Sequence, residues 1–169
     1  MSDAVLKLEG VQKHYGDHRA LAGLNLDIPG GIVFGFLGQN GAGKTTTMRI
    51  IAGLIQASNG RVFIDNVDTT LDPVTAKSKV GYIPDRPYLY DRLTGTETME
   101  FIAELFSLDR QAAHQKGEQL LKRFGIHHVK DKHVETYSHG MKQRLALAAA
   151  LLHQPKVLLV DEPMVGLDP

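Results

Sequence analysis

Residues Phe34–Thr46 read FGFLGQNGAGKTT, an apolar run feeding a glycine-rich loop that closes on Lys-Thr. Gly38, Gly43, Lys44 and Thr45 satisfy G-x-x-x-x-G-K-[ST]; Gln39, Asn40, Gly41 and Ala42 fill the interval, and Thr46 follows. The spacing has a physical reason. Glycines let successive backbone N–H groups turn inward and form a concave nest for phosphate oxygens. The helix that follows turns the positive end of its dipole toward the same anion. Lys44 is placed to reach the β- and γ-phosphates, and the Thr45 hydroxyl to hold Mg²⁺. The stretch predicts a phosphate-binding loop.

Around the loop, strands and helices alternate. Val5–Val11 and Leu24–Ile28 alternate apolar with polar residues, as half-exposed strands do. Ile32–Leu37 is nearly all apolar and predicts a buried strand leading into the loop. Gly43–Leu54 predicts a helix, with Met48, Ile51, Ala52 and Ile55 on one face. Asn59-Gly60 predicts a turn into a strand at Arg61–Ile64, and Lys79–Pro84 a further short strand. From Thr96 to Phe124 the apolar spacing is helical, Gly125–Tyr137 is polar, histidine-rich and loop-like, and Met141–His153 is helical again. Val157–Val160 is four consecutive β-formers. The pattern is α/β in a single domain over residues 1–169, with a helical insert at approximately 86–154.

Composition narrows the function. With 169 residues, 43% of them hydrophobic, the chain has material for one real core. Nineteen Lys and Arg balance nineteen Asp and Glu, so the positive excess of a nucleic-acid binder is absent and no nucleic-acid partner is expected. Without cysteine, thiol catalysis and disulfides are excluded. The opening MSDAVLKLEG has no signal-peptide pattern, and the longest apolar run, Leu145–Leu152, is too short to span a bilayer.

A phosphate loop alone leaves kinases, GTPases and motors open. The strand Val157–Val160 followed by Asp161-Glu162 narrows the choice. A carboxylate at the end of a buried strand completes a Mg²⁺ shell, and Glu162 beside it orients or deprotonates a water aimed at the γ-phosphate. Taken alone, Asp-Glu-Pro is equally a helix cap. A kinase keeps water out, so a water-directed glutamate points to hydrolysis. Other features have ordinary readings. Adjacent His127 and His128, with His133, lack a partner set for a tetrahedral metal site and read as a solvated loop. Tyr88 and Tyr90 read either as an aromatic surface for a partner helix or as partly buried residues.

The order of phosphate loop, Tyr137-Ser138-His139-Gly140-Met141 opening a helix, and Asp161-Glu162-Pro163 resembles the ATP-binding subunit of ABC transporters over essentially the whole chain. The resemblance implies a P-loop NTPase fold with a mostly parallel core sheet, an N-terminal antiparallel β region and a helical subdomain. It implies that Tyr15 stacks on adenine and that Gly38–Thr46 bind ATP. Ser138, His139 and Gly140 would contact ATP held by a second such subunit, in a homo- or heterodimer. Thr45, Asp161 and Asp85 would serve Mg²⁺, and Glu162 would be catalytic. The Gly81–Asp85 run looks like the loop that senses the γ-phosphate and touches the membrane subunit, and Pro163–Pro169 like the loop that couples the two sites.

Two positions depart from the family pattern. Tyr-Ser-His-Gly-Met stands where Leu-Ser-Gly-Gly-Gln is usual, and Asp85 where a glutamine is usual; both look like variants of exporter-type members. The implied partners are ATP, the second subunit and an integral membrane permease, which would hold the chain on the cytoplasmic face of the membrane. Family members continue beyond the position of Pro169 with further strands, helices and a histidine contacting the γ-phosphate. The chain therefore reads as truncated, with an unpaired sheet edge and an uncovered apolar face, and as poorly stable in isolation; the alternatives to a transporter's energy subunit are a non-hydrolysing remnant of one and a soluble ABC-type ATPase not involved in transport.

Overall fold

The computed structural model describes residues 4–39 and 41–161. They form two compact units, Met1–Gly81 and Tyr82–Pro169.

The first unit is built on a hairpin. Strand β1 (Ala4–Tyr15) pairs antiparallel with β2 (His18–Pro29), and Tyr15 faces His18 across the two-residue Gly16-Asp17 connection. Strand β3 (Asn59–Ile64) pairs antiparallel along the other edge of β1, with Leu6 opposite Ile64 and Leu8 opposite Val62. The short β4 (Val67–Asp68) closes a second hairpin through Asp65 and Asn66, whose φ angles of 47° and 63° suit the primed turns that match strand twist. The sheet order is β2-β1-β3-β4. Alternation sends Leu6, Leu8, Val62 and Ile64 inward, and all four are buried together with Val11. Helix α1 (Lys44–Ile51) follows the phosphate loop and buries Thr47, Ile50 and Ile51. Helix α2 (Pro73–Ser78) starts at Asp72, whose carboxylate accepts the Thr75 N–H at 3.1 Å, with Pro73 pre-set for the first turn.

In the second unit, the stretch with helical spacing between residues 96 and 124 is two helices, α3 (Gly95–Leu105) and α4 (Arg110–Arg123). Helix α3 opens with a reciprocal capping box between Thr94 and Glu97, and Asp109 caps α4 through the Ala112 N–H at 2.8 Å. Helix α5 (His139–Leu152) packs against both. Leu145 and Ala148 of α5, with Ile126 and Val134, are fully buried in a core that also takes in Met99, Leu120, Leu121 and Leu152. Strand β5 (Val80–Ile83) and β6 (Val157–Val160) form a two-stranded parallel sheet. The fold is α/β, and among the described residues no helix is long and apolar enough to cross a membrane.

Two expectations are corrected. Ile32–Leu37 forms no strand: Ile32, Val33, Phe34 and Leu37 are all exposed, Val33 fully so. Apolar β-formers make a strand only where a neighbour pairs with them, and among the described residues no strand does. The polar segment 125–137 is more than a solvated loop. It carries two single 3₁₀ turns, at His127–Val129 and Val134–Thr136, and sends Ile126, Val129, Val134 and Tyr137 into the core.

This segment is pinned by charge as well. Glu118 of α4 receives the Lys130 ammonium at 2.6 Å and lies 2.7 Å from His127 Nε2. The Lys130 hydrogen bond, followed by that of His127, holds the Glu118 carboxyl at about 2 against the opposing effect of burial. A carboxyl lowered on folding stabilises fully above its ordinary value near 4.5, and that contribution drains away as pH falls toward 2. The expected result is that Glu118→Gln costs about 1–3 kcal/mol at neutral pH and flattens the decline of stability over that acid window. Denaturant unfolding at a series of pH values checks it; parallel curves for both proteins would refute the linkage.

Candidate nucleotide-binding site

The loop is shaped by its own backbone. Gly41 and Gly43 take φ of 84° and 86°, in the left-handed region where a side chain is strained. Gly43 has a second reason to be glycine: a Cβ there would come within 2.6 Å of Leu21 Cδ2 and 2.8 Å of the Ala20 carbonyl oxygen. Strand β2 is thereby seated against the end of the loop. The Ala42 N–H donates to the Gln39 carbonyl at 3.1 Å, closing the turn. Asn40 lies outside the described residues.

Helix α1 begins at Gly43 without a side-chain cap and with no acidic residue in its first turn. Its leading N–H groups and dipole are therefore left for an external anion. The Lys44 ammonium curls over the loop and donates to the Gly38 and Gln39 carbonyl oxygens at 2.6 and 2.8 Å. Thr45 and Thr46 stand partly exposed in the first turn, while Thr47 turns inward and its hydroxyl donates to the Gly43 carbonyl at 2.9 Å. An anion seat, a cation bonded only to loop carbonyls and a partly exposed hydroxyl thus occupy one short segment.

Tyr15 belongs to the same unit. It ends β1 and is 49% exposed, and from its partner His18 the β2 strand runs three residues, about 10 Å, to Leu21 against Gly43.

In the second unit, β5 and β6 bring two carboxylate-bearing residues to one end of their sheet. The Asp161 N–H donates to the Ile83 carbonyl at 2.9 Å, and Asp85 follows two residues after Ile83. Glu162 and Pro163–Pro169 lie outside the described residues. Ser138 caps α5, its hydroxyl accepting the Met141 N–H at 3.3 Å, and the first turn carries no acidic residue. His139 is exposed and Gly140 partly so. Tyr137, just before the cap, is buried and anchors the turn by donating to the Val129 carbonyl at 2.7 Å. Burial, foremost, raises its phenol above the usual value. It lies so close to Gly95 that a Cβ there would meet the phenol oxygen at 2.6 Å.

Sequence reasoning passed over two residues beside these groups. Lys13 lies over the Tyr15 ring, and Glu118 ties α4 to the segment before α5. A lysine two positions before an exposed aromatic on a strand is the signal for the first, since both side chains share a face. The second had none, because Glu118 and Lys130 are twelve residues apart.

The family described as ABC transporter matches residues 21–165, and the chain belongs to that family. The daunorubicin resistance ATP-binding protein DrrA3 of Streptomyces coeruleorubidus is 37% identical over 169 residues, covering 100% of this chain and 54% of that protein. The bacitracin transport ATP-binding protein BcrA of Enterococcus faecalis is 40% identical over 166 residues, covering 98% and 53%. The structure of cbiO1 from Clostridium perfringens, part of the ABC transporter complex cbiONQ, matches with a TM-score of 0.85 at 34% identity, covering 99% of this chain and 69% of its own. The chain spans about half the length of the curated relatives it matches.

Proposed function

We propose that this chain is the ATP-binding part of an ATP-hydrolysing subunit that supplies energy to a separate integral membrane permease. The observation that carries the reading is the loop itself: Lys44 held over Gly38 and Gln39, at the mouth of a helix whose N-terminus has no side-chain cap. In the proposed role, Gly38–Thr46 wrap the phosphates of ATP, and Lys44 leaves its two carbonyl partners for the β- and γ-oxygens. Tyr15 stacks on the adenine. Ser138, His139 and Gly140 offer the N-terminus of α5 to ATP held by a second subunit, identical or related. Glu162 directs the attacking water.

Thr45, Asp161 and Asp85 offer only hard oxygen donors, a set that suits Mg²⁺. Held by these residues, Mg²⁺ would supply neutralisation of phosphate charge. The names of relatives concerned with daunorubicin resistance and bacitracin transport support an exporter-type role. The ABC transporter complex cbiONQ, of which cbiO1 is named a part, supports assembly with transporter subunits; in the proposed role this chain lies peripherally on the inner face of the membrane.

The test is Glu162→Gln in the full-length protein. ATP binding is expected to persist while turnover falls at least about 100-fold, the cost of losing a positioned general base, and a nucleotide-bound dimer accumulates on gel filtration. Turnover at the wild-type rate would remove Glu162 from this role.

A further inference from the structure

Tyr15 stands at the tip of the β1–β2 hairpin, about half exposed, where a ring would sample several rotamers unless something held it. Lys13, two residues earlier on the same strand, holds it: its ammonium lies 5.0 Å from the ring centroid. That ammonium is itself tethered, donating to the Gln56 carbonyl at 2.9 Å in the connection between α1 and β3. The connection is fixed to β1 in turn. The Ser58 N–H donates to the Gln12 carbonyl at 2.8 Å, and the His14 N–H to Ser58 Oγ at 3.1 Å. Backbone, ammonium and ring thus form one chain of contacts running from the end of the loop helix to the hairpin tip.

We infer that Lys13, held by Gln56, is a positioning residue for the nucleotide base: it covers one face of the Tyr15 ring and leaves the other set for a purine. The inference rests on the proposal that Tyr15 stacks on adenine. A cation over one face draws π-density from the ring, which favours stacking of an electron-rich base on the opposite face. A ring fixed beforehand also loses less conformational freedom when the base arrives. Lys13 in this role touches the platform and not the phosphates, so its contribution is confined to ligands that carry a base.

The experiment is calorimetric titration of the full-length protein with ATP and, separately, with inorganic tripolyphosphate. Lys13→Met is expected to weaken ATP about 2- to 5-fold, the lower part of the cost of ordering one side chain on binding, and to leave tripolyphosphate unchanged. Lys13→Arg, which keeps a cation over the ring, is expected to restore ATP affinity. Added to Tyr15→Leu, Lys13→Met should cause no further loss. Equal weakening of both ligands would overturn the inference, since Lys13 would then be acting as a general positive charge. Tyr15→Leu separates the two layers. If it lowers ATP affinity relative to tripolyphosphate while Lys13→Met does not, Lys13 has no positioning role and the platform stands. If Tyr15→Leu leaves that ratio unchanged, the platform fails and Lys13 falls with it.

Discussion

Replacing Lys44 by alanine is expected to reduce ATP affinity by at least about 100-fold. The ammonium sits 2.6 and 2.8 Å from the Gly38 and Gln39 carbonyl oxygens, bent over the loop it would serve. These are charge-assisted hydrogen bonds to neutral acceptors, and exchanging them for bonds to phosphate oxygens adds a full negative charge to the acceptor side. Each hydrogen bond to a charged group is worth about 1.5–3 kcal/mol, so losing two removes about 3 kcal/mol or more. The α1 dipole that remains is worth only about 0.3–1 kcal/mol near the surface, and neither it, the nest of N–H groups nor the Tyr15 platform replaces the lost cation. Titration with a fluorescent ATP analogue measures the loss. Affinity within threefold of the original would contradict the loop's assignment. Stability should change little, because both bonds lie at an exposed loop and neither supports the core.

The loop was legible because its chemistry is local. Phosphate binding needs glycines, a lysine and a hydroxyl at fixed offsets along one segment, and Gly38, Gly43, Lys44 and Thr45 are fixed by the chain itself. Ser138 came from the family resemblance, in a segment opening a helix whose apolar spacing runs through Leu145, Ala148, Ala149 and Leu152; the structure makes it the cap of that helix. Where a property depends on partners far along the chain, the reading was weaker. Ile32–Leu37 has the composition of a buried strand, but pairing comes from neighbours that composition does not specify, and here it stays exposed.

Segment 125–137 failed in the opposite direction. Its apolar residues, Ile126, Val129, Val134 and Tyr137, follow neither a period of two nor one of 3.6, so nothing marked them as core. They are buried because single 3₁₀ turns, the Tyr137 hydroxyl and the Glu118 cluster hold an irregular backbone in place. Helix α2 carried a readable signal that was passed over: Asp72 before Pro73 is an N-cap followed by a residue pre-set for the first turn.

Leu145→Ala is the largest stability change expected, about 3–4 kcal/mol, in the upper half of the range for buried leucines. Leu145 has no exposed surface and lies mid-way along α5 in a core with Ile126, Val134, Leu120 and Leu121. The cost depends on how far the surroundings can close over the lost methyl groups. Here they can close little. Its neighbours one turn on along the same face of the helix, Ala148 and Ala149, carry only a methyl group that cannot swing into the gap. The 126 and 134 positions are held by hydrogen-bonded single turns around them.

Leu105→Ala on α3 is the control, because Leu105 is 65% exposed and should cost no more than about 0.5 kcal/mol. Denaturant unfolding followed by far-ultraviolet circular dichroism compares the two. Equal shifts would mean that α5 is not anchored by this core. A large, selective loss at Leu145 would make the α3–α4–α5 core the support that keeps Ser138 at the head of an intact helix. Substitutions there would then weaken the Ser138-His139-Gly140 segment without touching it.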